Sequence, residues 1–379
     1  MAVASRILKP IPFTHNPRPT LGVEIEVQVV DPRTHNLAAG SLDILERFGE
    51  SPHLKQELTQ STVEVITGVC ADVDEVEQDL RATFEKLYEV GDDLGFLYAA
   101  AGTHPFAQWR EQKIYPNERY QDLVDRVQWP ARRLLIYGLH VHVGLQSGEK
   151  AIAICNGLTA YIPHLLALSS SSPFIDFEDT GLASTRAKIF EAMPTAGLPF
   201  RLNNYSEFQM FMNSLLNANA IFSIREIWWD IRPHPGFGTL EIRICDCPST
   251  LWELLALTAL VQCLVVWLDH CYDNGAMPEL LNPWIVRENK WRACRWGMDA
   301  SVIVDNKGTQ VKLGDAVPDL VNRLSGVAED LGCARHLAGI NRILEEGASY
   351  QRQRKLYERT HSFRDVVQDL SVQLRESFS

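Results

Sequence analysis

Two glutamates separated by a single residue mark the part of the chain best suited to chemistry. Glu24 and Glu26 occur in the stretch Gly-Val-Glu-Ile-Glu-Val at residues 22–27. On a strand, alternate side chains point to opposite faces, so the two glutamates share one face and the apolar residues share the other. Two ionised carboxylates about 7 Å apart, which is two strand rises, repel each other unless a cation or hydrogen-bond donors compensate. Taken alone, such a pair is more typical of the solvated face of an edge strand.

Three later segments repeat this alternation of apolar and ionisable residues. They are residues 138–144 with His140 and His142, residues 227–232 with Arg232, and residues 239–245 with Glu241 and Arg243. One such strand is typical of a wet sheet edge, whereas several together predict a sheet whose concave face is a charged pocket.

Another pair of glutamates lies in an extended, Thr- and Val-rich segment at residues 56–67. Glu57 and Glu64 are separated by an odd number of positions. A straight strand would place them on opposite faces, so a turn or bulge must separate them if both serve one site. We therefore expect the chain to bend between these two residues.

The residue types restrict the chemistry of such a pocket. Crowded carboxylates with one or two imidazoles suit Mg²⁺ or Mn²⁺, whereas zinc prefers more nitrogen or sulfur. Arginines beside the carboxylates can hold phosphoryl or carboxylate oxygens in bidentate fashion. Residues 144–150 are not a phosphate loop, because the glycine spacing differs and Ala151 replaces the Ser or Thr that binds the metal.

Composition sets the class of protein. The 379 residues are 46% apolar and carry a net charge of −12, which argues against nucleic acid or an anionic membrane as the main partner. The eight cysteines form no C-x-x-C pair, as expected of reduced thiols in a cytoplasmic protein. The apolar stretch at residues 254–268 is too short to span a bilayer and predicts a core helix.

Strands that are spread along the chain between helical segments predict an α+β fold. We expect an N-terminal arm at residues 1–19 and one catalytic domain at residues 20–379, with a mainly antiparallel, curved sheet and helices packed on its apolar side. Asp72 and Glu75 resemble a capping box ahead of a long helix. Residues 173–201 are expected to form a long loop, and the part beyond residue 249 to be mostly helical.

The ordered set of motifs resembles a known family. The segments Gly-Val-Glu-Ile-Glu, Ser-Thr-Val-Glu after Glu57, Gly-Leu-His-Val-His-Val and Gly-Thr-Leu-Glu-Ile-Arg are similar to those of the YbdK-type carboxylate–amine ligases. These enzymes are also called glutamate–cysteine ligase type 2 and have a glutamine-synthetase-like catalytic fold. The similarity extends through residues 119–120 and 179–186 to residues 288–293 and 351–354.

The resemblance implies a role for each matching residue. Glu24, His140 and Glu241 would hold a metal near the nucleotide phosphates, and Glu26, Glu57 and Glu64 one near the carboxylate substrate. Arg232 and Arg243 would contact the transferred phosphoryl group. The candidates for binding substrate are Arg186, Arg119 and His142, with His142 alternatively supporting His140; Arg292 is a further candidate.

The resemblance also implies the reaction. It is an ATP-dependent carboxylate–amine ligation through an acyl phosphate, of the kind that forms γ-glutamylcysteine, with ATP and two or more Mg²⁺ or Mn²⁺ ions. Expected partners are small amino acid substrates and a second copy in a homodimer. Three alternatives stay open from the residues: a two-metal phosphoester hydrolase, a guanidino phosphotransferase on the same fold, and a non-catalytic metabolite sensor.

Overall fold

The computed structural model describes residues 9–379. The first eight residues of the expected arm lie outside the described residues. Residues 9–19 form neither helix nor strand and are fixed by hydrogen bonds. Lys9 exchanges backbone hydrogen bonds with the Asn213 side chain, and the Asn16 side chain donates to the carbonyls of Phe237 and Gly238. This part of the arm therefore packs along one helix and one hairpin of the fold.

The strands form one large antiparallel sheet and two small hairpins. In chain order, the strands are β1 (Leu21–Val30), β2 (Leu54–Gln56), β3 (Thr62–Ile66), β4 (Leu97–Ala99), β5 (Leu139–Gly144), β6 (Phe174–Ile175), β7 (Glu178–Asp179), β8 (Ile231–His234), β9 (Thr239–Ile242), β10 (Ser301–Ile303) and β11 (Gln310–Lys312). The large sheet has the order β2-β3-β1-β5-β9-β8, and β4 also pairs with β1. Pairs β6–β7 and β10–β11 stand apart from it.

Helices surround this sheet and make up most of the chain after β9. They are α1 (Ser41–Phe48), α2 (Val73–Leu94), α3 (Glu118–Val127), α4 (Trp129–Arg132), α5 (Gly148–Leu158), α6 (Ile162–Ser169), α7 (Thr185–Phe190), α8 (Tyr205–Asn217), α9 (Leu251–Asp273), α10 (Pro283–Trp296), α11 (Leu313–Asp330), α12 (Ala334–Leu337), α13 (Gly339–Glu346), α14 (Ser349–Thr360) and α15 (Phe363–Phe378).

The strand register separates the two faces of the sheet as the alternation predicts. On β1, Val23, Ile25 and Val27 are at most 1% exposed and belong to the main core. The glutamates between them lie on the opposite face, where Glu24 is paired with His140 on β5 and Glu26 with Glu64 on β3. The predicted α+β fold with a mainly antiparallel sheet is confirmed.

Two helical stretches are long and apolar enough to cross a membrane by length and composition. They are residues 148–169 and α9, and 72% and 83% of their most apolar windows are buried inside the fold. Helix α9 contains the stretch predicted to be a core helix, and its residues between Leu251 and Leu268 contribute to the main core. Burial of this kind is what the central helix of a globular core requires.

Local signals fix where the long helix α2 begins. The Asp72 carboxylate accepts a hydrogen bond from the Glu75 backbone N–H at 2.9 Å, and the Glu75 carboxylate accepts one from Ala71 N–H at 2.7 Å. The Asp72 cap predicted from the sequence is therefore present, whereas Glu75 bonds one residue further back than in a capping box. An N-cap of this kind stabilises a helix by about 1 kcal/mol. The helix ends at Gly95, whose φ of 76° only glycine adopts without strain.

Two secondary-structure predictions were wrong. The strand expected at residues 227–232 begins only at Ile231, because the backbone of Trp228 and Asp230 bonds to Gly197 instead of the sheet. The loop expected at residues 173–201 contains the short hairpin β6–β7 and helix α7. That helix is capped by Ser184, whose hydroxyl accepts from Ala187 N–H.

Candidate active site

The polar face of the sheet borders a cavity of about 460 Å³. Eleven of the twelve residues that the sequence analysis proposed for the site line this cavity: Glu24, Glu26, Glu57, Glu64, Arg119, His140, His142, Arg186, Arg232, Glu241 and Arg243. Strands β1, β3, β5 and β9 supply most of them. Glu57 follows β2 directly, in the turn before β3. The bend that the odd Glu57–Glu64 spacing required is this turn.

Three overlapping groups of acidic and histidine side chains lie close enough to share an ion. In each group, one ligand atom per residue lies within 4.8 Å of the others. The groups are Glu24–Glu64–His140, Glu24–His142–Glu241 and Glu26–Glu57–Glu64. Glu24 and Glu64 each belong to two groups, so the three positions form a continuous row across the sheet.

The two histidines of β5 serve different groups. His142 Nε2 lies 3.5 Å from Glu24 and 3.8 Å from Glu241, while His140 Nδ1 lies 3.3 Å from the other oxygen of Glu24. The family resemblance placed His140 with Glu24 and Glu241, but here His142 has that position. The cause is the register, since His142 is paired with Glu241 on β9.

Crowding marks the end of the cavity that holds three glutamates. Burial and the nearby Glu57 carboxylate raise the pKa of Glu26 to about 7, even though Gly138 N–H donates to it at 2.5 Å. Burial, followed by repulsion from Glu57 and Glu24, raises the pKa of Glu64 well above its ordinary value. These carboxylates therefore resist ionising together without a cation.

The other end of the cavity stabilises negative charge. Burial alone would raise the pKa of Glu241, but the guanidinium groups of Arg232 and Arg243 outweigh it and hold that pKa well below its ordinary value. The rings of His140 and His142, which lie 3.3 and 3.5 Å from Glu24, likewise outweigh burial at Glu24 and lower its pKa. Glu24 and Glu241 are therefore ionised at neutral pH.

The two arginines around Glu241 are not equivalent. Arg232 donates from Nε to Glu241 at 2.7 Å and from its terminal nitrogens to Glu241 and to the carbonyls of Ile224 and Ile227. Arg243 also pairs with Glu241, but its buried Nε has no hydrogen-bond partner in the described chain. Arg232 therefore fixes the position of Glu241, whereas Arg243 keeps a donor for another molecule.

Arg186 is held behind Arg243. Its terminal nitrogens donate to the backbone carbonyls of Arg243 and Ile244 at 3.2 and 3.3 Å, and its residue is only 2% exposed. The buried carboxylate of Asp246 lies 3.9 Å away and is itself held by Ser172 and other donors. Arg186 lines the cavity, and its buried Nε has no hydrogen-bond partner among residues 9–379.

The two weaker arginine candidates differ in position. Arg119 lies in the first turn of α3 and is exposed at the cavity edge, where its charge acts on Glu57. Arg292 does not line the cavity. It pairs with Glu288 at 2.8 Å and donates to Ser301 and Gln310, so it joins α10 to the β10–β11 hairpin.

A buried lysine that the sequence reasoning missed supports the site from behind. Lys290 Nζ lies 2.6 Å from both Asp230 and Glu191, and the residue is 2% exposed. The Asp230 carbonyl in turn accepts from the Arg243 backbone N–H at 2.8 Å. One sequence signal pointed to it: Lys290 occupies the buried stripe of α10, which comprises Ile285, Val286, Asn289, Lys290, Ala293 and Cys294.

An aromatic pair borders the cavity beside Glu241. His234 and Phe237 stack with ring centroids 4.1 Å apart, and both line the cavity. They belong to the β8–β9 hairpin, whose turn is tied to the N-terminal arm through Asn16. Burial lowers the pKa of His234 to about 4, so this ring is neutral at pH 7.

The residues present fit a divalent cation such as Mg²⁺ or Mn²⁺. The ligand sets are rich in carboxylate oxygen, and two of the three include one imidazole, which is the donor chemistry that these hard cations accept. His142 Nε2 is buried without a hydrogen-bond partner in the part of the chain described, as expected of a nitrogen reserved for a metal. A cation would also relieve the repulsion that raises the pKa of Glu26.

Solved structures share this architecture. The crystal structure of glutamate–cysteine ligase from Francisella tularensis in complex with AMP matches with a TM-score of 0.72, covering 97% of this chain and 90% of that one. The complex of the prokaryotic ubiquitin-like protein Pup with its ligase PafA matches with a TM-score of 0.51, covering 90% and 68%. Each is 12% identical in sequence, so the likeness concerns the fold.

Sequence relatives are much closer. The protein named “Putative glutamate--cysteine ligase 2” of Gloeobacter violaceus is 47% identical over 96% of this chain and 99% of its own length. Its namesake from Thermobifida fusca is 45% identical over 96% and 93%. The model of the family described as glutamate-cysteine ligase family 2 matches residues 20–369, which includes every residue of the site. The chain belongs to the glutamate–cysteine ligase family 2.

Proposed function

We propose that this protein is an ATP-dependent carboxylate–amine ligase of the glutamate–cysteine ligase type. The observation that carries the proposal is the row of three overlapping ligand groups beside Arg243, whose Nε is free to bind a substrate. Relatives named glutamate–cysteine ligase 2 over the whole chain support the same activity. Glutamate and cysteine are accordingly the first substrates to test, with γ-glutamylcysteine as the product.

The reaction needs activation because a carboxylate does not react with an amine at neutral pH. Its leaving group would be an oxide. Transfer of the γ-phosphoryl group of ATP to the carboxylate gives an acyl phosphate, whose leaving group is phosphate. The amine then attacks the acyl carbon, and an amide and free phosphate result. A site for this reaction must stabilise charge on phosphate oxygens and needs no nucleophilic side chain.

The carboxylates of this chain suit that requirement. Glu24, His142 and Glu241 would hold one divalent cation, and the crowded glutamates Glu26, Glu57 and Glu64 a second, with Glu24, Glu64 and His140 between them. Bound Mg²⁺ or Mn²⁺ supplies positive charge that neutralises the phosphate oxygens. The low pKa of Glu24 and Glu241 keeps both ionised and ready to bind such an ion.

The arginines divide the remaining work. Arg243, with its free Nε, would donate to the phosphoryl group as negative charge develops on it. Arg232 is fully engaged with Glu241 and backbone carbonyls, so we assign it the positioning of Glu241. Arg186, which lines the same cavity and whose Nε has no partner in the described chain, would bind the substrate carboxylate, with Arg119 at the exposed edge.

The deciding experiment follows one oxygen atom. The acid substrate is labelled with heavy oxygen in its carboxylate and incubated with ATP, Mg²⁺ and the amine, and the released phosphate is weighed by mass spectrometry. In the acyl-phosphate route, the oxygen that attacks phosphorus leaves with the phosphate. We expect labelled phosphate in proportion to the amide formed.

Other outcomes identify the rival activities. Unlabelled phosphate without amide would mean hydrolysis by water, as in a phosphoester hydrolase or an idle ATPase. A phosphorylated substrate without free phosphate would mean a guanidino phosphotransferase. Amide accompanied by unlabelled phosphate would refute the activation step proposed above. The homodimer stays a prediction, to be checked by solution scattering.

A further inference from the structure

A second cavity of about 490 Å³ lies elsewhere in the fold and shares no lining residue with the first. Its walls come from α5, α6, α10, α11 and the β10–β11 hairpin, with residues 278–281 closing one side. The volume is in the range of about 300–1,000 Å³ that is typical of small-molecule sites. The proposed ligase chemistry makes no use of this cavity.

One wall carries an imidazole without a partner. His164 on α6 is 8% exposed, and within the described chain its buried Nδ1 has no hydrogen-bond partner. Leaving a buried polar atom unpaired costs about 1–3 kcal/mol, so such atoms usually face a ligand or water. Burial, and then the charge of Arg323, lower the pKa of His164 to about 4. The ring is therefore neutral at pH 7 and offers one N–H donor and one acceptor nitrogen.

The opposite wall carries separated charges of both signs. Asp315, Asp319 and Arg323 line the cavity from α11 at intervals of four residues, which places them on one face of the helix. None of the three takes part in an ion pair within the described residues. Four residues of helix span about 6 Å, so Asp315 and Arg323 lie about 12 Å apart along the helix, with Asp319 between them.

The cavity floor between these charges is apolar. Leu320 and Val302 are 3% and 1% exposed, and Leu281 closes the space from the loop before α10. Arg323 itself lies over the Trp267 ring at 5.7 Å, which places its charge at the end of the cavity near His164. A ligand that fills the space must carry positive charge at one end, negative charge at the other and an apolar body.

We propose that this cavity is a second binding site, for a small zwitterion with an apolar side chain, the chemical class of an apolar α-amino acid. The ligand ammonium would bind Asp315 and Asp319. Its carboxylate would accept hydrogen bonds from Arg323 and from the N–H of His164, which would give the unpaired ring nitrogen of His164 a partner. The side chain would pack on Leu320 and its apolar neighbours.

Calorimetric titration of the whole protein, without ATP or metal, tests the proposal with matched probes. L-Leucine carries both charges, isoamylamine lacks the carboxylate, and isocaproate lacks the ammonium. We expect leucine to bind at one site and each analogue to bind at least about tenfold more weakly, because a hydrogen bond to a charged group contributes 1.5–3 kcal/mol. No saturable leucine binding, or equal binding of an analogue, would overturn the proposal.

Matched arginine variants locate the binding. Arg323→Met should abolish leucine binding, whereas Arg119→Met, which removes an exposed arginine from the first cavity, should leave the affinity unchanged. The reverse pattern would assign leucine to the first cavity and refute the second site. His164→Leu should weaken binding without lowering thermal stability, because it removes an unpaired buried atom. Unchanged leucine affinity in that variant would also contradict the proposal.

Discussion

Lys290 offers the sharpest test of the reasoning about buried charge. Its ammonium is 2% exposed and pairs with Asp230 and Glu191 at 2.6 Å each. Although burial favours the neutral amine, the two carboxylates outweigh it and raise the pKa of Lys290. Lys290→Met keeps the length of the side chain but leaves the buried Asp230 carboxylate without its cation.

The loss of stability expected for Lys290→Met depends on the carboxylates that remain without a cation. Removing one member of a buried ion pair costs about 3–5 kcal/mol, because the other charge stays buried and uncompensated. Lys188 provides a matched control, since its Nζ contacts the same Glu191 at 2.7 Å while its side chain is 34% exposed. An exposed pair contributes about 0–1 kcal/mol, so Lys188→Met should change stability by less than 1 kcal/mol.

Urea unfolding followed by tryptophan fluorescence and circular dichroism measures both variants. The double variant Lys290→Met/Asp230→Asn should recover part of the loss, because it removes both charges of the pair. A Lys290→Met protein within 1 kcal/mol of the parent would refute the argument. So would a double variant as unstable as the sum of the two single changes.

Two further predictions concern the ligand strand and a buried histidine. Glu24→Gln and Glu26→Gln should each abolish Mg²⁺-dependent phosphate release and leave the circular dichroism spectrum unchanged. The reason is that the amide keeps the shape of the side chain but loses its charge. Near-normal turnover in either variant would mean that β1 is not part of the active site. Burial lowers the pKa of His104 to about 3, and its Nδ1 already accepts from Ala107 N–H. As the pH falls below about 6.5, His104 therefore takes up a proton in the unfolded state but not in the folded state. Between pH 7 and pH 5, this difference should lower the free energy of unfolding by about 2 kcal/mol. In urea unfolding, the free energy of unfolding of His104→Gln should fall by about 2 kcal/mol less between pH 7 and pH 5 than that of the parent protein. The same pH dependence in both proteins would contradict the low pKa of His104.

Alternation along single strands was sufficient to predict which side chains share the cavity. Glu24, Glu26, His140 and Glu241 could be placed on one polar face because each lies between apolar residues that must be buried. The same reasoning required the turn between Glu57 and Glu64. The face of the sheet on which a side chain lies follows from the alternation of apolar and polar residues within its own strand, and that alternation can be read from the sequence.

Division of the ligands into groups could not be predicted in this way. His140 and His142 look equivalent on β5, and only the pairing with β1 and β9 places one beside Glu64 and the other beside Glu241. Such pairings join distant parts of the chain, since His140 lies 116 positions after Glu24 and Glu241 lies 99 positions after His142. Lys290 was missed for a related reason, since its carboxylate partners lie 60 and 99 positions earlier in the chain.

The register of β1 links the folding of the core to the formation of the active site. Pairing Glu24 with His140 and Glu26 with Glu64 is also the arrangement that buries Val23 and Ile25. A slip of one residue would turn the carboxylates into the core and expose the valine and isoleucine, so the misaligned sheet has no stable compact form. Formation of the core and formation of the ligand row are therefore a single event on β1, because the register that buries Val23 and Ile25 also aligns Glu24 and Glu26 with their partners.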